Sequence, residues 1–302
     1  MAERDRSECV LVFKRVYDVP IERMWRAWTE AAELAKWYLA GDDHIIHSAE
    51  VDLRVGGLSR IAFGPPGRPP FVEISRYLEI TPPTRIVTEG VALIGAPAME
   101  DGGKSSLELA DLGDGRTELT LTTTGGGELW RHGEGWVPCL DSLGRHLASP
   151  GGEGSASKED ACILTLTRIY EAPIEAIWRA WTDATELAKW YLAGPDHVIH
   201  FAEADVRIGG TYRIGFGPPG KTPYVETGCY TEVSPMRRLA FEAGVTVGEG
   251  GPTAIVELNV IEFTDLGGGR TKVVLTDNGP DAWRSGEGWI PCLESLARHL
   301  GG

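Results

Sequence analysis

Apolar residues recur at every second position through much of this chain. Residues 9–17 and 162–170 are rich in Val, Leu, Ile and Phe and read as β-strands. His47, Ala49, Val51, Leu53 and Val55 share one parity, with Glu50, Asp52 and Arg54 on the other, which predicts a strand with one covered face. A Gly56-Gly57 turn follows, then Ser59, Ile61 and Phe63 as the next inner row, matched later by Tyr212, Ile214 and Phe216. GPPG supplies a hairpin loop. Further strands are expected at residues 71–80, 85–91, 105–110 and 117–123.

Two stretches change period. Pro20 opens a short helical region, where the missing N–H of proline costs nothing, and Met24, Trp25, Trp28 and Leu34 form its apolar stripe. LAKWYLAG makes a second short turn that stops at Gly41. Near the end, Trp136, Leu140, Leu143 and Leu147 fall at i, i+4, i+7 and i+11, one face of a long helix over about residues 130–147. Strand, short helices, a run of strands and a long helix define an α+β class rather than alternating α/β.

The whole order then repeats. PIERMWRAWTEAAELAKWYLAGDDHIIH begins at Pro20 and PIEAIWRAWTDATELAKWYLAGPDHVIH at Pro173. Each copy is long enough to bury its own core. The expected organisation is therefore domain 1 over 1–148, a Gly/Ser-rich linker over 149–160 and domain 2 over 161–302.

Charge narrows the partners. The net charge is −15, which argues against nucleic acid or an anionic membrane surface, both of which need clustered Lys and Arg. No apolar run is long enough to span a bilayer, and the N-terminus lacks a secretory h-region. Five cysteines without CxxC spacing fit reduced thiols and a cytoplasmic location better than a disulfide framework or a zinc site.

At this point the motifs carry a family likeness. PIERMWRAWTEAAELAKWY, DLRVGGLSRIAFGPPG, YLEITPPTRIV and GEGWVPCLDSLGRHL, in that order, resemble bacterial homologues of the heat-shock protein 90 ATPase activator, within the START-like (SRPBCC) superfamily. The resemblance covers both copies. It implies two tandem helix-grip domains, each a curved, mostly antiparallel sheet around a long C-terminal helix, with a cavity between sheet and helix. The superfamily includes lipid carriers, hormone receptors, polyketide aromatase/cyclases and antibiotic-sequestering proteins. Covalent fusion also suggests that the two domains act as a pair.

Tryptophan is the first candidate chemistry, five in each copy. Trp25 and Trp28 sit on the first helix's apolar stripe and read as core. Trp37, Trp130 and Trp136, with Trp190, Trp283 and Trp289, lie near element ends, where a cavity mouth would be, and suit a flat apolar ligand. Phe63 and Phe216 join them from the inner rows. His47 and His200 have the inward parity, so each imidazole either bonds backbone or points into the cavity, while His44 and His197 diverge from them and no metal pair is expected. Glu73 and Glu226 follow the PPG loop in both copies. Inside, such a carboxylate would have a raised pKa and could act as a base; outside, it would be an ordinary strand residue. Tyr77, Glu79, Tyr230 and Glu232 share its parity.

No phosphate loop, dinucleotide fingerprint, nucleophile elbow or metal cluster is present, so no cofactor is implied. The leading expectation is a non-catalytic protein that binds a hydrophobic, polycyclic aromatic small molecule in each domain, as in sequestration of or self-resistance to a natural product. A polyketide aromatase/cyclase or hydrolase using the same cavity, with His47 and Glu73 as acid and base and Tyr77 orienting, is the alternative. A co-chaperone of a chaperone ATPase is a third. Because Ser59 becomes Tyr212 and Ser75 becomes Gly228 between copies, two sites of similar type but unequal shape and affinity are expected.

Overall fold

The computed structural model describes residues 8–38, 44–95, 103–125, 132–148, 161–191, 196–248, 257–279 and 282–301. The expected linker at 149–160 lies outside them. The chain divides into two compact units, one of Val10–Cys162 and one of Met1–Cys9 with Ile163–Gly302.

The first repeat runs β1 (Glu8–Tyr17), α1 (Ile21–Thr29), α2 (Ala31–Trp37), β2 (Ile45–Val51), β3 (Leu58–Gly64), β4 (Phe71–Thr81), β5 (Arg85–Ile94), β6 (Lys104–Gly113), β7 (Arg116–Gly125) and α3 (His132–Leu147). The second follows the same order: β8 (Ala161–Tyr170), α4 (Ile174–Thr182), α5 (Ala184–Trp190), β9 (Val198–Ala204), β10 (Thr211–Gly217), β11 (Tyr224–Ser234), β12 (Arg238–Val247), β13 (Glu257–Gly267), β14 (Arg270–Gly279) and α6 (Ala282–His299). Within the first repeat the strands lie in the order β2-β3-β4-β5-β6-β7-β1, and within the second β9-β10-β11-β12-β13-β14-β8. The hairpin-linked pairs from β2 to β7 are all antiparallel, as are those from β9 to β14. Each repeat is thus α+β.

The short helical region is two helices. Pro20 is the extended residue before α1, and its carbonyl accepts from the Met24 N–H. Glu30 breaks the helix by adopting an extended conformation, and α2 starts on the next residue. At the equivalent break Asp183 caps α5 through its carboxylate, which accepts from the backbone N–H of Thr185 and Glu186.

The long helix meets the expectation more closely. Leu140, Leu143 and Leu147 are buried along α3. The Tyr17 hydroxyl of β1 donates to the Leu140 carbonyl at 3.1 Å, and Arg15 pairs with Asp141 at 2.6 Å. These contacts fix the helix against the first strand. In the second repeat Tyr170 donates to the Leu293 carbonyl at 3.2 Å.

Strand β2 departs from strict alternation. Ile46 pairs with Phe63 and Ser48 with Ala62, so His47 is an extra residue in a β-bulge. The inward side chains are therefore Ile46, then Ala49 opposite Ile61 and Val51 opposite Ser59. His47 is exposed. His200 repeats this, lying between Ile199 opposite Phe216 and Phe201 opposite Gly215, and is exposed as well. Both histidines were expected on the inner face; the bulge turns them out. Leu53 and Val55 also leave the expected row, because β2 ends at Val51 and they lie 39% and 63% exposed beyond it.

The turn after β2 needs glycine at its second position, since a Cβ on Gly57 would collide with the Asp52 carbonyl. That turn also grips β4. The Gly56 N–H donates to the Tyr77 carbonyl at 2.8 Å, and the Tyr77 N–H donates to the Gly57 carbonyl at 3.0 Å. Gly209, Gly210 and Tyr230 repeat the exchange. The kept Gly-Gly pair thereby sets the position of a tyrosine that lies in the site.

A candidate ligand cavity in the first repeat

A cavity of about 560 Å³ opens inside the first repeat, walled by β3, β4, β5, β6 and β7 and closed by α1, α2 and α3. This lies within the size range of small-molecule sites. Its wall is apolar over Trp28, Leu34, Ile61, Phe63, Leu107, Leu121 and Trp136. Val91 of β5 lines it and is 46% exposed, which places an opening there.

Among the described residues, one carboxylate faces this wall. Glu73 projects from β4 on the face of Ile61, its partner on β3. The Tyr38 hydroxyl donates to Glu73 Oε1 at 3.1 Å, and the Ser75 hydroxyl lies at the limit of donation, 3.5 Å. Burial pushes the Glu73 carboxyl above the ordinary range, and the Tyr38 and Ser75 hydrogen bonds pull it part of the way back. Burial, with the Glu73 charge beside it, also raises the Tyr38 phenol well above its ordinary value. Tyr77 is buried on the same face, with its hydroxyl near Ser59. Glu79, expected to share that face, does not. The ladder skips Leu78 between Tyr77 and Glu79, and Glu79 pairs outward with Arg85 at 3.2 Å. Cys139 of α3 also lines the cavity, and burial raises its thiol, which keeps it protonated and a poor nucleophile.

The tryptophans exchange the parts expected of them. Trp37 is fully buried outside the cavity wall, its indole N–H donating to the Ala27 carbonyl at 2.9 Å. Trp190 does the same to the Ala180 carbonyl at 2.8 Å. Both were expected at a cavity mouth; they are core residues that fasten the second short helix to the first. Trp28, read as core, lines the cavity, and its ring stands 4.8 Å from Trp37 and 5.9 Å from Trp136. Trp136 lines the cavity from the start of α3. Trp130 and the side chain of Trp283 lie outside the described residues. Tyr38 was not singled out in the sequence, although the WYLAG segment carries it unchanged in both copies.

The second repeat places Glu226, Tyr230, Phe216 and Trp289 at the matching positions, all buried. Its polar centre is tighter. Glu226 Oε1 accepts from Tyr191 at 2.8 Å and from Tyr212 at 2.6 Å. Tyr212 stands where the first repeat has Ser59, and Gly228 where it has Ser75; each pair lies directly opposite across two strands. A Cβ on Gly228 would run into the Tyr212 ring. Phe241 replaces Thr88, Asn259 replaces Ser105 and Asp277 replaces Thr123, all on inward positions. Gly228→Ser is therefore expected to destabilise the second repeat by about 1–3 kcal/mol through overpacking. Adding Tyr212→Ser should recover most of the loss. Additive losses in urea unfolding of the double variant would refute the clash.

Among the described residues no group of three or more His, Cys, Asp and Glu side chains is arranged to hold a metal ion. His44 packs instead beside Phe63 and Phe71, with ring centroids at 6.0 and 6.4 Å. Among them, too, no helix is long and apolar enough to cross a membrane.

A strand-rich repeat with a closing helix and an apolar cavity around one carboxylate defines the class. The family described as "Activator of Hsp90 ATPase homolog 1-like protein" matches residues 18–148 and again 171–301, and the chain belongs to that family as a tandem duplication. Solved structures similar to it include a protein of Nitrosomonas europaea, at 25% identity and a TM-score of 0.39, covering 46% of this chain and 94% of that one. A Chromobacterium violaceum protein matches at 25% identity and a TM-score of 0.40, over 46% and 98% of the two chains. The AHSA1-like protein of Aeromonas hydrophila matches at 23% identity and a TM-score of 0.38, over 45% and 92%. No curated protein sequence matches.

Proposed function

We propose that the chain binds a hydrophobic aromatic small molecule in the first repeat, in the manner of a helix-grip carrier or sequestering protein, and releases it unchanged. The observation that carries this reading is the cavity of about 560 Å³ whose apolar wall, among the described residues, encloses a single carboxylate. Burial of aromatic surface against Trp28 and Trp136 supplies affinity, and Glu73 supplies one oriented polar contact. The acid–base alternative loses a member, because His47 is exposed on β2 and outside the cavity lining. Glu73 and Tyr38 remain as the pair a cyclase or hydrolase would have to use. The family's description names an activator of a chaperone ATPase; the apolar lining and the buried Glu73 favour a small molecule in this cavity. Sequestration of a natural product is the physiological role this reading supports.

The test is native mass spectrometry of the full chain after exposure to an extract of its host. The expected result is a bound molecule of unchanged mass. Recovery of that molecule with an altered mass would replace the binder with an enzyme. Trp136→Ala is expected to weaken the captured ligand at least about tenfold, the usual scale for removing a buried aromatic anchor. Full affinity in that variant would place the ligand elsewhere.

A further inference from the structure

The two repeats differ at one cross-strand pair in a way that identifies chemistry. In the first, Ser59 opposes Ser75 beside Glu73. In the second, Tyr212 opposes Gly228 beside Glu226. The exchange is reciprocal: the second repeat gains a ring at one position and gives up even a Cβ at the other, where that atom would strike the ring.

The gained ring is held as a bound ligand would be. Tyr212 is 4% exposed. Its hydroxyl donates to Glu226 Oε1 at 2.6 Å, the shorter of that oxygen's two phenolic contacts. Its ring meets Phe241 edge-on at 5.3 Å and lies 5.6 Å from Tyr230. The first repeat keeps the receiving parts, with Glu73 and Tyr77 at the places of Glu226 and Tyr230 and Tyr38 at that of Tyr191. There Thr88 and Ser59 replace the two rings, and all of these side chains line the open cavity. Glu73 then has one good donor, Tyr38 at 3.1 Å, and a marginal one at 3.5 Å.

We infer that Tyr212 is a built-in copy of the first repeat's ligand, and that this ligand is a phenol: an aromatic ring whose hydroxyl donates to Glu73 and lies over Ser59 and Ser75. This rests on the proposed small-molecule reading and gives its ligand a functional group and an orientation. The phenolic end sits against Glu73, and the remaining rings extend toward Trp28 and Trp136. A buried carboxylate that accepts a hydroxyl proton in a hydrogen bond discriminates strongly against an ether of the same shape, because the ether leaves the acceptor unpaired. The second repeat already holds its phenol in the chain, so it takes no free one.

The experiment is calorimetric titration of the full chain with 2-naphthol and with 2-methoxynaphthalene. The expected result is one equivalent of 2-naphthol bound, at least about tenfold more tightly than the ether. Ser59→Tyr with Ser75→Gly, which grafts the second repeat's pair into the first, should abolish that binding. Tyr212→Ser with Gly228→Ser should open the second repeat and raise the stoichiometry to two. Circular dichroism verifies folding of each variant, and either one alone suffices to test the assignment. Equal affinity for the two probes would overturn the phenol while leaving an apolar cavity that binds aromatics. Failure of both probes to bind would overturn the inference and the binding reading together.

Discussion

Trp37→Ala is expected to cost the first repeat about 3–5 kcal/mol, the usual range for truncating a fully buried tryptophan. Trp37 has no exposed surface, packs edge-on to Trp28 at 4.8 Å and lies 5.4 Å from Tyr38. Its indole N–H also satisfies the Ala27 carbonyl in α1, so truncation leaves a cavity and an unpaired acceptor together. Because Trp37 lies outside the cavity lining, ligand affinity should fall only as the folded fraction falls. Urea unfolding followed by hydrogen exchange on α1 and α2 measures the first effect. A midpoint that stayed put while ligand affinity dropped would return Trp37 to the cavity wall.

Asp277→Asn is expected to stabilise the second repeat at pH 8 and to leave it nearly unchanged at pH 4. Asp277 is fully buried on β14, and neither of its carboxylate oxygens has a hydrogen-bond partner among the described residues. Burial, with the Glu257 carboxylate beside it, pushes its pKa up to about 7, against the opposing effect of the nearby polar hydrogens of Ser285 and Trp289 on α6. Glu226 is also an inward carboxylate there; burial raises it, the Tyr212 and Tyr191 hydrogen bonds lower it, and Glu257 adds a smaller upward push. The folded state therefore holds a proton that the unfolded chain releases near pH 4. Stability is complete below that pH, declines as pH rises, and reaches its lower plateau above about 7. The amide of the variant carries no charge and can donate to Glu257. Thermal midpoints from pH 4 to 8, assigned by exchange of the β13 and β14 amides, test this. An undiminished slope in Asp277→Asn would move the proton to another group.

The repeat, the strand-rich order and the buried face of α3 could be read because they rest on spacing. Leu140, Leu143 and Leu147 recur at helical intervals and are buried. Ser59, Ile61 and Phe63 alternate, and all three line the cavity. What failed was any inference that needed an unbroken period. His47 has the inward parity only if β2 contains no extra residue, and a bulge leaves no mark in the hydrophobic pattern. Leu78 does the same to Glu79. The tryptophans failed for another reason. The stripe drawn through Trp28 and Leu34 crosses the break at Glu30 between two short helices and so mixes two orientations, and Trp37, placed near an element end, turns back onto α1 instead of facing the cavity. Tyr38 follows the last residue of α2, where no periodicity applies, and its partnership with Glu73 spans 35 residues. The face of Glu73 could not be settled from β4 alone. Its pairing with β3 settles it, by placing Glu73 opposite Ile61.

The bulges at His47 and His200 have a bearing on solubility. In its own repeat β2 has one sheet neighbour, β3, and β9 has only β10, so each is an edge strand. A straight edge offers a regular row of free N–H and C=O groups on which another chain can add a strand. One extra residue in the middle of a seven-residue strand interrupts that row and turns an imidazole outward. The feature that misdirected the parity argument therefore serves as a guard against edge-to-edge aggregation, present once in each copy.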